Sequence, residues 1–279
     1  MARIISVVNQ KGGTGKTTSV VNISAYLARM GYKTLILDMD PQASATLYLG
    51  VDPSSVEFSM YDVLLKEAIS FNDIILSTGI EKLHLAPAHV SLAKTDINLA
   101  DNANKQYRLK EKLADIKAKY DYILIDCPPS LSLLPINALT CSSEVIIPLQ
   151  PKYLSLEGLK QLKSSLDRIK SELNPLLKIL GILFTMVDMR PKMTKHGIDL
   201  VRKHFGNEVF DSIIRICSKF NEAPIAGQSI FDYNHNSKGA EDYKRVTEEV
   251  INKKRIFYRR GISRSIKVPK RIKRLFNAT

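Results

Sequence analysis

Glycine, lysine and threonine are concentrated near the start of the chain, in the stretch Asn9-Gln10-Lys11-Gly12-Gly13-Thr14-Gly15-Lys16-Thr17-Thr18. A short apolar run precedes this stretch and apolar residues at helical spacing follow it, which predicts a strand, a loop and a helix. Glycines allow several backbone N–H groups to point at one spot with no Cβ in the way, and the positive end of the helix dipole attracts an anion. The pattern is therefore typical of a loop that binds phosphate groups.

The side chains of this loop indicate a nucleoside triphosphate with magnesium. Lys16 can reach the β- and γ-phosphates, and the Thr17 hydroxyl is placed to hold Mg²⁺. Gln10 replaces the first glycine of the standard pattern, and Lys11 adds a second lysine. The residues expected to contact the nucleotide are Lys11, Gly12, Gly13, Thr14, Gly15, Lys16, Thr17 and Thr18.

A dinucleotide-binding loop is the alternative interpretation. Gly13 and Gly15 would lie on a strand-to-helix turn, and Asp38 ends a second predicted strand. However, Thr18 stands where that motif has its third glycine, and Lys16 would put a cation where it usually has none. The triphosphate interpretation is favoured.

Three carboxylates follow predicted strands. Asp38 ends the apolar run that begins at Thr34, Asp40 lies in the turn that Pro41 forces, and Asp126 ends a second apolar run. Each alone could be an ordinary turn or strand-end acid. Because ligands bind beyond the carboxyl ends of parallel strands, we expect all three beside the phosphate loop, with Thr17, Asp38 and Asp126 as the protein groups around Mg²⁺.

The composition places most of the charge at one end of the chain. The 279 residues carry a net charge of +13, and 11 Lys/Arg but no Asp or Glu fall within residues 253–279. The rest is nearly balanced, so the tail is the expected polyanion-binding part. Three widely spaced cysteines, no long apolar run and no signal-peptide pattern favour a reduced cytoplasmic setting.

The spacing of apolar runs predicts the architecture. Further strands are expected at 83–88, 144–149 and 180–187, and helical stretches at 92–109, 155–172, 192–205 and 236–254. This alternation predicts an α/β fold with a doubly wound, mainly parallel sheet and helices on both faces. We expect one domain at 1–252 and a basic extension at 253–279.

Three motifs together resemble the deviant Walker family of ParA/Soj partition ATPases, which has the P-loop NTPase type of fold. They are Lys11 to Thr18, Asp38-Met-Asp-Pro-Gln42 and Tyr122-Ile-Leu-Ile-Asp-Cys-Pro-Pro129. Further matches are Leu183-Phe-Thr-Met-Val-Asp-Met-Arg190, His204-Phe-Gly206, Asn221-Glu-Ala-Pro224 and Ser237-Lys-Gly-Ala240. The resemblance covers roughly residues 1–255.

The resemblance implies a slow, Mg²⁺-dependent ATP hydrolase that dimerises with ATP. Lys11 would reach the partner subunit's nucleotide, Lys16 would hold the phosphates, Asp40 would help orient the attacking water, and Asp126 would support Mg²⁺. It also implies nonspecific binding of double-stranded DNA, chromosome or plasmid partition with stimulation by a ParB-like protein, and association with the nucleoid.

The DNA contacts are less well marked in the sequence. The candidates are Arg190, Arg215 and Lys219 in the body of the chain, and Arg259 and Arg260 in the tail. From Pro269 onward the tail has the pattern of a basic amphipathic helix, as in MinD, a membrane-cycling relative of the family. DNA binding, attachment to an anionic membrane and a solvated tail all remain open, with DNA favoured by the ParA-like motifs.

Overall fold

The computed structural model describes residues 2–151 and 155–261, with side chains for 2–151 and 156–253. Eight strands in these residues form one sheet. They are β1 (Arg3–Val7), β2 (Thr34–Asp38), β3 (Leu76–Ser77), β4 (Leu83–Ala86), β5 (Tyr122–Asp126), β6 (Glu144–Leu149), β7 (Lys178–Val187) and β8 (Val209–Arg215).

Helices connect most of these strands. In chain order they are α1 (Lys16–Arg29), α2 (Ser44–Tyr48), α3 (Met60–Leu65), α4 (Phe71–Ile74), α5 (Thr95–Asn98), α6 (Arg108–Leu113), α7 (Leu133–Cys141), α8 (Ser155–Glu172), α9 (Lys192–Phe205), α10 (Lys219–Glu222), α11 (Ile230–Asn234) and α12 (Lys238–Gly261).

The strand order is β3-β4-β2-β5-β1-β6-β7-β8, and every pair is parallel except β3 with β4. The central strand β1 lies between β5 and β6, so the chain winds outward in both directions from it. This is the predicted doubly wound sheet. Its carboxyl edge at the centre is where Val7, Asp126 and Asp38 lie side by side in register.

Apolar side chains cover both faces of the sheet. One core cluster joins it to α1, α11 and α12, and the other joins it to α3 and α6 to α9. β1, β2, β5 and β6 are buried at every position, because in a parallel sheet with helices on both faces each strand is covered from two sides. The site at the carboxyl edge is therefore held by rigid, well-packed elements.

The structure differs from the sequence-based expectation in two places. The edge strand β8 was not anticipated, because polar Asp211 and Ser212 interrupt its apolar pattern. The continuous helix expected over 92–109 is wrong, since this region contains only the short helices α5 and α6 and single 3₁₀ turns.

The last helix, α12, is hydrogen-bonded to the sheet through Arg3 of β1. The Arg3 guanidinium is paired with the buried Glu144 of β6 and also donates to the Val250 carbonyl of α12 at 2.5 Å. α12 continues to Gly261 and so crosses the expected boundary between residues 252 and 253. The amphipathic stretch from Pro269 lies outside the described residues.

Candidate nucleotide-binding site

The loop between β1 and α1 has an open, backbone-lined surface. Gly13 and Gly15 have φ values of 68° and 83°, a conformation that glycine adopts without strain. No atom lies within 4 Å of the position that a Cβ would take at Gly12 or Gly13. This combination leaves room for a phosphate group against the backbone, as the sequence predicts.

The two lysines of the loop occupy different environments. Lys16 is 7% exposed, and its Nζ lies 3.4 Å from the Lys11 carbonyl oxygen. Burial lowers the pKa of the Lys16 ammonium, and the charges of Asp126 and Asp40 oppose that shift. Lys11 is exposed at the rim of the loop. The buried lysine thus faces the site of its own chain, whereas the other is accessible from outside.

Asp126 links the end of β5 to the first turn of α1. The Thr17 hydroxyl donates to its Oδ2 at 2.6 Å, while its Oδ1 is buried and has no hydrogen-bond partner in the described part of the chain. Burial, and after it the neighbouring charge of Asp38, raises the pKa of Asp126 well above its usual value. A buried carboxylate oxygen without a partner is costly, and a hard divalent cation with oxygen ligands would satisfy it. The donor set therefore fits Mg²⁺.

Asp38 is fully engaged with its own surroundings. Its Oδ2 accepts hydrogen bonds from the Thr46 amide at 2.8 Å and the Thr46 hydroxyl at 2.7 Å, and its Oδ1 accepts from the Asp40 amide at 3.2 Å. Burial raises the pKa of Asp38, and the bonds from Thr46 oppose the shift. Asp38 thus holds the turn and helix α2 in place beside Asp126, its neighbour in register.

Asp40 lies in the turn after β2, where it is 8% exposed. Its Oδ1 accepts a hydrogen bond from the Gln42 amide at 3.0 Å, and its carbonyl accepts from the Ala43 amide at 2.8 Å. Ala43 itself has a positive φ of 51°. The carboxylate is therefore fixed close enough to Lys16 to influence the pKa of that lysine.

Comparison with known proteins assigns the family. A family model described as an AAA domain (AAA_31) matches residues 2–179. The sporulation initiation inhibitor protein Soj of Bacillus subtilis (strain 168) is 44% identical over 250 residues, which are 90% of this chain and 98% of that protein. This chain belongs to the Soj/ParA family. The resemblance inferred from the loop and strand-end motifs is confirmed.

Solved structures similar to this Soj/ParA family member share its fold. Cobyrinic acid a,c-diamide synthase from Mycobacterium smegmatis, with bound ATP analog and magnesium, has a TM-score of 0.82 and 31% identity over 96% of this chain and 100% of that one. The septum site-determining protein MinD from Pyrococcus horikoshii OT3, complexed with Mg-ADP, has a TM-score of 0.73 and 30% identity over 95% and 100%. The predicted P-loop NTPase type of fold is confirmed.

Two residues at the same edge were missed by the sequence analysis of this family member. The amide of Gln150, the residue directly after β6, donates to the Gly13 carbonyl at 2.7 Å. The hydroxyl of Thr185, near the end of β7, donates to the Thr14 carbonyl at 2.8 Å. The available signal was their position at the carboxyl ends of predicted strands, the same signal that identified the aspartates.

The DNA candidates have acidic neighbours. Arg190 pairs with Asp188 but is 89% exposed. The Arg215 guanidinium contacts the buried Asp242, which also accepts from the Arg215 amide at 2.9 Å. The remaining body candidate, Lys219, pairs with Glu222 at 2.7 Å. The other two predicted contacts, Arg259 and Arg260, lie in α12 with side chains outside the described residues.

Cys127, the clustering of metal-binding side chains and the hydropathy of the helices bear on metal and membrane chemistry. Cys127 is fully buried in the core, and the described residues contain no cluster of His, Cys, Asp and Glu suited to a metal ion. No helix within residues 2–151 and 155–261 is both long and apolar enough to cross a membrane.

Because Asp126 and Asp38 have different hydrogen-bond partners, replacing each with asparagine should change the free energy of unfolding in opposite directions. Without metal or nucleotide, Asp126→Asn should raise the free energy of unfolding by about 1 kcal/mol, because it removes a buried charge with an unsatisfied oxygen. Asp38→Asn should lower it by about 1–2 kcal/mol, because the amide has a single acceptor oxygen, so its NH₂ group must face either the Thr46 donors or the Asp40 N–H. Urea unfolding in EDTA at pH 7.5 measures both, and equal losses in the two variants would contradict this account.

Proposed function

We propose that this chain is an Mg²⁺-dependent ATP hydrolase in which two copies pair around the nucleotide. One observation carries the proposal: Lys11 is exposed at the rim of a loop that already has a buried lysine, Lys16, in the phosphate-facing position. None of the ion pairs among the described side chains involves Lys11. A cation placed in this way can reach the nucleotide of a second subunit.

The proposed roles are those that the family resemblance implies, and the positions of the side chains support them. The backbone N–H groups from Gly12 to Thr18 and the Lys16 ammonium hold the phosphates. Thr17 and Asp126 hold Mg²⁺, which when bound neutralises charge on the β- and γ-phosphates. Asp38 supports this arrangement through the turn, and the Asp40 carboxylate accepts a hydrogen bond from the attacking water and orients it.

The known ligands of similar proteins support this choice of cofactor. The synthase from M. smegmatis was solved with an ATP analog and magnesium, and MinD from P. horikoshii with Mg-ADP. Phosphoryl transfer depends mainly on positioning and charge stabilisation, so a lysine supplied by a partner would act as an arginine finger does. Hydrolysis would then require a dimer, which couples nucleotide state to assembly.

Replacing Lys11 tests this coupling. Lys11→Ala should reduce ATP turnover by about a thousandfold, because the partner's charge on the transferring phosphoryl group is lost, while MgATP binding and folding are retained. Asp40→Ala should also lower turnover sharply. Steady-state phosphate release, equilibrium nucleotide binding and light scattering in MgATP measure turnover, affinity and assembly.

The matched control is Lys170→Ala, which removes an exposed lysine near the end of α8, beside the start of β7 and so at the opposite edge of the sheet from the loop. This control should leave turnover unchanged. If Lys11→Ala and Asp40→Ala both hydrolyse ATP at the rate of the unmodified chain, the proposed mechanism is wrong.

We further propose that the ATP-bound dimer binds double-stranded DNA without sequence preference and serves chromosome or plasmid partition at the nucleoid. Relatives in the family are named chromosome-partitioning proteins, which supports this role. A ParB-like protein is the proposed activator of hydrolysis. Arg190 is the body candidate best suited to a phosphate contact, because 89% of its side chain is exposed.

A salt titration with a charge variant tests the DNA contacts. Arg190→Ala should weaken DNA binding and lower the slope of log affinity against log salt by about one unit, since one phosphate contact is lost. Its unfolding midpoint should not change. Arg215→Ala serves as the contrast, because it removes the cationic partner of the buried Asp242 and should also destabilise the fold. Binding that is insensitive to salt would reject a phosphate-contact mechanism.

A membrane-cycling positioning ATPase is the second candidate. The similarity to MinD and the basic, amphipathic pattern after Pro269 favour it. In this case the tail would attach the protein to anionic lipid, whereas in the first it would add DNA affinity.

Removing residues 262–279, the part of the tail that includes the amphipathic stretch and six of its 11 Lys/Arg, distinguishes the two candidates. A chain ending at residue 261, where α12 ends, should keep ATP turnover but bind DNA more weakly if the tail contacts DNA. Under the membrane alternative it should instead lose co-sedimentation with vesicles containing phosphatidylglycerol. Equal co-sedimentation of the full and shortened chains would exclude that alternative.

A further inference from the structure

Two neighbouring strands each direct a side chain onto the backbone of the phosphate loop. Gln150 follows β6 and its Nε2 donates to the Gly13 carbonyl at 2.7 Å, and the Thr185 hydroxyl of β7 donates to the Thr14 carbonyl at 2.8 Å. Both acceptors are main-chain oxygens of consecutive residues. These contacts therefore hold two successive peptide units of the loop from outside.

A held carbonyl fixes the direction of the next amide. The peptide unit is planar and trans, so the carbonyl of one residue and the N–H of the next point in opposite directions. The bond from Gln150 to the Gly13 carbonyl thereby orients the Thr14 N–H. The bond from Thr185 to the Thr14 carbonyl orients the Gly15 N–H. Each N–H group therefore points away from the side chain that holds the preceding carbonyl.

The loop needs such restraints because its glycines do not supply them. Gly13 and Gly15 flank these peptide units, and a glycine can rotate its φ and ψ at little steric cost. Without an outside partner, a peptide unit next to glycine can turn and point its oxygen at the phosphate, where it would repel an anion. Fixing the units before the ligand arrives lowers the entropic cost of binding.

The packing around Thr185 shows that its position is itself well determined. Thr185 is 2% exposed, and its methyl carbon lies 3.6 Å from the place of a Cβ at Gly15. The following residue, Met186, has a positive φ of 52°, a conformation that costs energy for a residue other than glycine. Its sulfur lies 3.0 Å from the Gln150 amide nitrogen. The strained residue of β7, directly after Thr185, thus contacts the other donor, Gln150.

We propose that Thr185 is a positioning residue for nucleotide binding, which acts through the Thr14 peptide, and that Gln150 has the same role at the Gly13 peptide. The inference rests on the proposed function, since it requires that the loop bind a nucleotide di- or triphosphate. It assigns binding energy to a hydroxyl that does not itself contact the ligand.

Substitutions at Thr185 separate the hydroxyl from its packing. Thr185→Val keeps the shape and removes the donor, and should weaken MgADP binding about tenfold, the size of effect of a weakened charge-assisted hydrogen bond. Thr185→Ser keeps the donor and should restore affinity to within about threefold of the unmodified chain. In turnover assays Thr185→Val should raise KM for ATP about tenfold with little change in kcat. The reason is that the loop binds the phosphates of ATP equally well in the ground state and in the transition state.

Thr247→Val is the matched control. Thr247 is also fully buried and its hydroxyl also donates to a backbone carbonyl, that of Tyr243 at 2.7 Å, but in α12. It should lose a similar amount of stability and keep its affinity for MgADP. Calorimetric titration with MgADP and urea unfolding measure the two properties in each variant.

Two outcomes would overturn the inference while leaving the proposed function in place. One is equal MgADP affinity in the Thr185→Val and Thr247→Val variants. The other is equal loss in Thr185→Val and Thr185→Ser, which would assign the effect to packing and not to the hydroxyl. If the unmodified chain does not bind MgADP, the proposed function itself is wrong, and this inference falls with it.

Discussion

The unpaired oxygen of Asp126 is the constraint on which the rest of the site depends. A buried carboxyl group is tolerated in a folded protein when its oxygens are hydrogen-bonded, coordinate a cation or carry a proton. One oxygen has the Thr17 hydroxyl at 2.6 Å, and the other has no partner in the described part of the chain. The unsatisfied oxygen thus lowers the stability of the fold where the sheet meets the phosphate loop, and a bound cation would remove this loss of stability.

The neighbouring aspartate, Asp38, shows what the same side chain does when both of its oxygens have hydrogen-bond donors. Asp38 is equally buried and adjacent in register, yet Thr46 and the Asp40 amide supply donors to both of its oxygens. Its carboxylate therefore organises the turn that carries Asp40. Two acids of the same type, at the same edge and depth, have different tasks because their hydrogen-bond partners differ.

The main features of the fold and of the site are predictable from the sequence for a physical reason. Strands buried on both faces are continuous apolar runs, so β2 and β6 have the bounds that their sequences indicate. Their carboxyl ends meet at one edge, which brings Asp38 and Asp126 together. β8 escapes prediction because it is an edge strand with two polar residues at its centre.

Contacts between a side chain and a distant backbone could not be predicted in this way. The bond from Thr185 to the Thr14 carbonyl depends on the register of β7 and on the rotation of one peptide unit. The pairing of Arg215 with Asp242 depends on how α12 crosses β8. Sequence spacing carries no information on either, so the arginine stood out only as a basic residue and the threonine only as part of the motif from Leu183 to Arg190.

The helix that follows the phosphate loop also organises the C-terminal part of the chain. The Ser19 hydroxyl lies 3.1 Å from the hydroxyl of the buried Tyr243, and the Asn22 side chain accepts from the Ile230 amide at 2.8 Å. Tyr243 in turn meets the Phe220 ring edge-on, with ring centroids 5.4 Å apart. Phe220 is next to Lys219, one of the DNA candidates.

These contacts form a continuous path from the loop to the surface near α10. Each step is a buried hydrogen bond or an aromatic contact, and such contacts resist gradual deformation because protein interiors are close-packed. Helices α1, α10 and α12 are therefore packed against one another through Tyr243. This packing connects α1, the helix after the phosphate loop, with α10, which carries Lys219.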